Sequence, residues 1–145
     1  MPFRAAGTLW RHRLIGRPHH PDFGVPVKPL QDKVAIVTGV SSPVGIGAAI
    51  ARRLAGSGAR LVLAADSSPE SVARECAELL GEAKGVVPLL SDLGDPSAVA
   101  AMVAEAEERF GRVDMLVNNA AVRINRRFGE FTAAEFDQAV AVNLR

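Results

Sequence analysis

The strongest constraint on this chain is a repeated alternation. Four short apolar runs, VAIVT (34–38), RLVLAAD (60–66), GVVPLLS (85–91) and RVDMLVNNA (112–120), are separated by longer segments with helical periodicity. Runs of this length rich in Val, Leu and Ile read as strands buried on both faces, and the segments between them as amphipathic helices. Strands joined by helical crossovers through short connections form a parallel sheet with right-handed crossovers. The predicted class is α/β, doubly wound.

Local signals place the helices. Gly56 and Gly58 stop the first, whose apolar face is read as Ile46, Ala49, Ile50 and Leu54. Ser68 before Pro69 supplies an N-cap and first-turn signal for the second, with Val72, Cys76, Leu79 and Leu80 on its face. Asp95 caps the third and Gly111 ends it. In the last, TAAE from Thr132 reads as a capping box that opens EFDQAVAVNLR. Pro88 marks the third strand as an edge strand, because proline cannot donate to a ladder.

With 145 residues, 48% apolar and 23% charged, the chain has room for one domain with a core. Residues 1–30 mix Arg, His, Gly and Pro without periodicity and are expected to be a flexible basic leader ahead of a folded unit spanning 31–145. Residues 1–33 carry a net charge of +4 and the remainder −3. Residues 1–21 hold four Arg and no acid, as organelle transit peptides do, but a disordered extension or an over-early start is the preferred reading. His12, His19 and His20 lie there without acidic or cysteine ligands nearby, so no metal site is expected. Cys76 is the single cysteine, which excludes an intramolecular disulfide. A mildly acidic body with no Tyr argues against a nucleic-acid partner. No stretch approaches the roughly 20 apolar residues of a membrane span, and a cytoplasmic protein is expected.

In a parallel sheet of this kind ligands sit beyond the carboxyl ends of the strands. The unusual polar residues fall there: Thr38 to Val44, Asp66, Asp92, Asn118 and Asn119. TGVSSPVGIGAA puts Gly39, Gly45 and Gly47 between a strand and a helix, where glycines let a pyrophosphate approach the amides of the helix N-terminus. Asp66 follows Gly47 by 19 residues, about where a carboxylate reaches the adenosine ribose hydroxyls. Together these point to dinucleotide binding.

Through KVAIVTG, GIGAAIARRLA, SDL, VDMLVNNAA and VNL, in that order, Leu30 to Arg145 resembles the N-terminal, cofactor-binding portion of the short-chain dehydrogenase/reductase family. The resemblance implies a Rossmann-like sheet truncated after about four strands. It implies that Thr38 to Gly47, with Gly39, Ser41, Ser42, Val44, Gly45, Ile46 and Gly47 as the contact residues, wrap the pyrophosphate, with Asp92 and Leu93 against the adenine. Asn118 to Ala121, including Asn119 and Ala120, would line the ribose near the nicotinamide. Asn143 matches the family asparagine that supports a water in the proton relay.

Three features depart from the family pattern. VSSPV places five residues between Gly39 and Gly45 where three are usual, NNAG reads NNAA ending at Ala121, and the acid counted from Gly58 falls on Ala65 rather than Asp66. The longer loop resembles that of divergent members, including enoyl-thioester reductases. NAD is favoured as cofactor, because Ser41, Ser42, Ser67 and Ser68 stand beside a carboxylate where a 2′-phosphate would need Arg or Lys. NADP stays open as the alternative.

The family's catalytic Tyr, Lys and Ser would lie downstream of Asn143, whereas this chain has no Tyr, its last Lys is Lys84 and its last Ser is Ser97. The chain is therefore expected to be a cofactor-binding fragment of a longer NAD(P)-dependent oxidoreductase, a homo-oligomer when complete, acting on a small carbonyl or alcohol substrate. A non-catalytic NAD(P)-binding module is the competing reading. Arg123, Arg126 and Arg127 read as a solvated loop face rather than a grip on an anionic substrate.

Overall fold

Strands β1 (Val34–Thr38), β2 (Arg60–Ala65), β3 (Val86–Leu90) and β4 (Met115–Val117) pair in parallel in the order β3-β2-β1-β4. The structure is a computed structural model that describes residues 28–127 and 129–144, so most of the basic leader, with its three histidines, lies outside the described residues. Between the strands run α1 (Ile46–Gly56), α2 (Glu70–Leu80) and α3 (Pro96–Phe110), and α4 (Ala133–Asn143) follows β4.

Alternation along the strands sorts their side chains to two faces. Ala35, Val37, Leu61 and Leu63 pack with Ala48, Ala51, Val72 and Cys76 of α1 and α2. Ile36, Val62, Ala64 and Val87 pack on the other face with Met102 and Ala106 of α3. This is the doubly wound arrangement expected from the sequence. Ile36, Leu61 and Leu63 are the largest fully buried side chains, each worth roughly 1.5–3 kcal/mol of transfer free energy. Pro88 lies on the outermost strand, as its missing N–H predicts.

Helix α1 is rotated from the face read in the sequence. Its buried residues are Gly47, Ala48, Ala51 and Ala55, while Ile46 is 74% exposed and Ala49 is also exposed. Ile50 and Leu54 pack at the margin of the core. The segment is apolar nearly all round, so periodicity weighted toward large residues chose the wrong stripe. Close approach of helix to sheet selected the alanines.

Two further boundaries differ. Helix α2 takes Pro69 as its N-cap, with no side-chain cap bond, because Ser68 sits at φ +39° instead of the extended conformation that aims a capping hydroxyl. Its buried face keeps Val72, Cys76 and Leu80, but Leu79 is exposed. Strand β4 is three residues long where 112–120 was predicted. Beyond Val117 the Thr38 hydroxyl, rather than a ladder carbonyl, accepts from the Asn119 and Ala120 amides at 3.0 and 3.1 Å. The other caps follow the sequence: Asp95 accepts from Ser97 N, Gly111 is left-handed, and Thr132 with Glu135 forms the capping box.

Candidate functional site

The carboxyl ends of the strands open into a cleft of about 660 Å3. Of the residues expected at a site, Gly39, Ser41, Asp66, Asp92, Leu93, Asn119, Ala120 and Ala121 line it. Ser42, Val44, Gly45, Ile46 and Gly47 do not; they belong to the loop and first turn of α1 alongside. Asn118 and Asn143 line a separate groove, with Ile36, Leu116 and Val103, on the α3 side of the sheet.

The cleft floor is tied together by Thr38 and Asn119. Thr38 is buried, and its Oγ1 donates to Val117 O at 3.2 Å while accepting the two amides that follow β4. Asn119 Nδ2 donates to Thr38 O at 2.9 Å and to Gly39 O at 3.0 Å. The sequence reading gave both residues ligand-facing roles, Thr38 at the start of the pyrophosphate loop and Asn119 beside a ribose. Their mutual bonding was not foreseeable, because the partners lie 81 positions apart.

Glycines permit this closeness. A Cβ on Gly39 would fall 2.6 Å from Ala120 Cα, and Gly39 is held at φ +72°. A Cβ on Gly47 would fall 2.6 Å from both Asn119 Nδ2 and Gly39 O. The N-terminus of α1 is thereby drawn against the ends of β1 and β4. Its N-cap, Gly45, offers no side-chain acceptor, so the first-turn amides have no side-chain cap and none of the intrahelical partners available further along. The lengthened loop extends outward: Val40 is buried, whereas Ser41 to Val44 are exposed, Val44 by 94%.

Two carboxylates face the cleft. Asp66, just past β2, is exposed and its Oδ1 accepts from Ser67 Oγ at 3.0 Å. Asp92, just past β3, accepts from Gly94 N on Oδ1 at 2.8 Å, a local turn that leaves Oδ2 without that bond. From the neighbouring groove Asn143 fixes the loop after β4, whose Val122 lines the cleft: its Oδ1 accepts from Val122 N at 2.9 Å and its Nδ2 donates to Val122 O at 3.0 Å. Arg126 is engaged by Glu135 at 2.8 Å, and Arg123 and Arg127 are exposed.

The short chain dehydrogenase family model matches residues 33–145. The chain belongs to this family. It is 40% identical over 113 residues to D-beta-hydroxybutyrate dehydrogenase of Rhizobium meliloti (strain 1021), covering 77% of this chain and 43% of the relative. It is 41% identical over 123 residues to levodione reductase of Leifsonia aquatica, covering 83% and 45%. Among solved structures, a short chain dehydrogenase from Burkholderia cenocepacia J2315 in complex with NADP superposes with a TM-score of 0.73 at 37% identity, covering 80% of this chain and 46% of that one. The chain thus spans somewhat under half the length of these relatives.

Other titrating groups of this family member serve the scaffold. Asp114, at the amino end of β4 and so at the opposite end of the sheet from the cleft, accepts from Val34 N at 2.9 Å and pairs with Lys33 and Arg112. The Val34 amide above all, with the two cations, pulls its carboxyl down to about 2. Burial pushes the Cys76 thiol up to about 11, leaving little thiolate at neutral pH. Among the described residues no three His, Cys, Asp or Glu side chains gather as metal ligands, and no helix is long and apolar enough to cross a membrane.

Proposed function

We propose that this cleft binds a nicotinamide adenine dinucleotide, and that the complete protein transfers hydride between it and a carbonyl or alcohol. The observation that carries the reading is the close approach at Gly39 and Gly47. It brings the uncapped N-terminus of α1 beside a cleft that also holds Asp66. Backbone donors at a helix N-terminus suit a pyrophosphate, and a cleft of this volume suits part of a ligand of that size. The residues present therefore fit the dinucleotide. The names of the relatives, a dehydrogenase of a hydroxy acid and a reductase of a dione, and the NADP held by the Burkholderia protein support the same reading.

When bound, the dinucleotide would give hydride to a carbonyl in its reduced form and take it from an alcohol in its oxidised form. This chain's residues hold and orient it. The α1 amides and the loop from Gly39 through Ser41, Ser42, Val44, Gly45 and Ile46 to Gly47 take the pyrophosphate. Asp66 accepts from the ribose hydroxyls, Asp92 and Leu93 meet the adenine, and Asn119, Ala120 and Ala121 line the second ribose. Asn143 acts as a positioning residue, fixing Val122 beside the cleft wall, on the path where a relay water would sit.

NAD is preferred to NADP in this reading, because the exposed Asp66 carboxylate repels a 2′-phosphate. Titration calorimetry of the 145-residue protein with each cofactor tests both parts. Tighter binding of NAD is the expected result. Binding of neither removes the dinucleotide assignment, and a preference for NADP removes the role given to Asp66.

A further inference from the structure

The outer edge of the sheet carries a groove that shares no residue with the cleft. It has a volume of about 560 Å3 and lies between α2 and β3, with Ala73, Ala77, Val86 and Pro88 forming an apolar floor. Among the described residues no strand pairs with the far side of β3. Ser91 N donates inward to Ala65 O, so backbone alternation turns Pro88 outward, and this edge lacks an amide that an added strand would need. An occupant is therefore held by side-chain burial and charge rather than by a strand ladder.

The rim says which charge the occupant carries. Glu70, Glu78 and Glu82 stand there against one cation, Arg74. Arg60 takes up Glu82 at 3.5 Å, while Glu70, Glu78 and Arg74 form no ion pair among the described residues. Arg74 stands midway between Glu70 and Glu78 along α2 and can neutralise only one of them at a time. An apolar floor with an acidic rim suits a segment that is both apolar and basic.

The chain itself supplies one. LWRHRLIGR (9–17) sets Leu9, Trp10, Leu14 and Ile15 among Arg11, Arg13 and Arg17, with no acid. The described residues begin at Lys28, whose Nζ donates to Leu80 O at the end of α2 at 2.8 Å. Lys28 shares a hollow with Glu82, and Glu82 also lines the groove. Residues 18–27 can span up to about 35 Å, and the 11 residues of α2 rise only about 16 Å, so residues 9–17 reach the whole groove. So tethered, they act at an effective concentration of roughly millimolar, and weak contacts suffice. We infer that residues 9–17 dock in the groove between α2 and β3, with Trp10 on its apolar floor and arginines at Glu70 and Glu78. Seated there, the segment covers the outer edge of the sheet, which otherwise presents unpaired backbone to other chains.

Trp10 is the only tryptophan and the chain has no tyrosine, so tryptophan fluorescence reports on this segment alone. In the folded full chain at low salt its emission should be blue-shifted, and shielded from acrylamide, relative to the chain in urea. Added salt should move both readouts toward the urea values, because it screens the arginines from the rim. Glu70→Gln combined with Glu78→Gln keeps both side chains' shape and should lose most of the blue shift, with the circular dichroism unchanged. Glu78→Lys, at an exposed position, should lose it as well. Glu107→Gln combined with Glu108→Gln makes the same change of net charge on α3 and should keep the shift. Wild-type emission that matches the urea value overturns the docking, and so does a shift that survives the changes at Glu70 and Glu78 or is lost equally in the α3 variant. A shift that grows with protein concentration also overturns it, and places the segment on a second copy of the chain.

Discussion

Asn119 donates to Thr38 twice: its backbone N to Thr38 Oγ1 at 3.0 Å, and its Nδ2 to Thr38 O at 2.9 Å. The end of β1 and the end of β4 are thus one rigid floor under the cleft. Thr38→Val keeps the shape and removes the acceptor, leaving the Asn119 and Ala120 amides without their partner. Urea denaturation should show a loss of roughly 1–3 kcal/mol. An unchanged midpoint would mean that water replaces the hydroxyl and that the clamp is dispensable.

Gly39→Ala adds a Cβ 2.6 Å from Ala120 Cα at a residue held at φ +72°. The expected outcome is destabilisation by more than about 1 kcal/mol, together with at least a tenfold loss of NAD affinity, because the loop must move away from Asn119. Gly56→Ala is the control. A Cβ there meets nothing within 4 Å, and the position ends a helix, so stability should stay level or rise by up to about 1 kcal/mol. Equal effects at the two sites would show that packing around Gly39 is not what sets them apart.

Asp66→Ala removes the exposed carboxylate proposed to bond the ribose and repel a 2′-phosphate. The ratio of NADP to NAD dissociation constants should fall toward unity in parallel titrations. Most of that change should come from weaker NAD binding, since Ser41 and Ser67 supply hydroxyls but no cation. A ratio that holds steady would move the discriminating group elsewhere in the loop.

Asp114 titrates at about 2 in the folded chain, against an ordinary value of 3.8. A depressed carboxylate stabilises the fold above its unfolded pKa, and this stabilisation is lost as pH falls through the folded one. The window is therefore from about pH 4 down to about pH 2. Asp114→Asn should lower stability at neutral pH and flatten the acid limb of a stability profile across that window. Wild-type and variant profiles that stay parallel there would exclude Asp114 as a source of the acid sensitivity.

Most elements were legible in the sequence because their signals are local. VAIVT became β1 at its predicted bounds, Asp95 and Gly111 bracket α3, and TAAE opens α4. The α1 face was misread because Ile46 and Ile50 outweigh alanine in any periodicity, although the sheet leaves room only for Ala48, Ala51 and Ala55. Asp66 and Asp92 could be placed near a ligand from their positions after strands, but the turn that Asp92 Oδ1 closes on Gly94 N could not.

The sequence by itself determined a parallel α/β fold with a glycine-lined turn at the head of its first helix, since strand composition, caps and glycine positions act over a few residues. Tertiary structure decided which residues share the cleft. Thr38 meets Asn119 only because the order β3-β2-β1-β4 brings the ends of β1 and β4 together, and Gln138 of α4 lines the same cleft as residues that follow β1, β2, β3 and β4. Contacts between residues far apart in the chain depend on that topology, which local propensity does not encode.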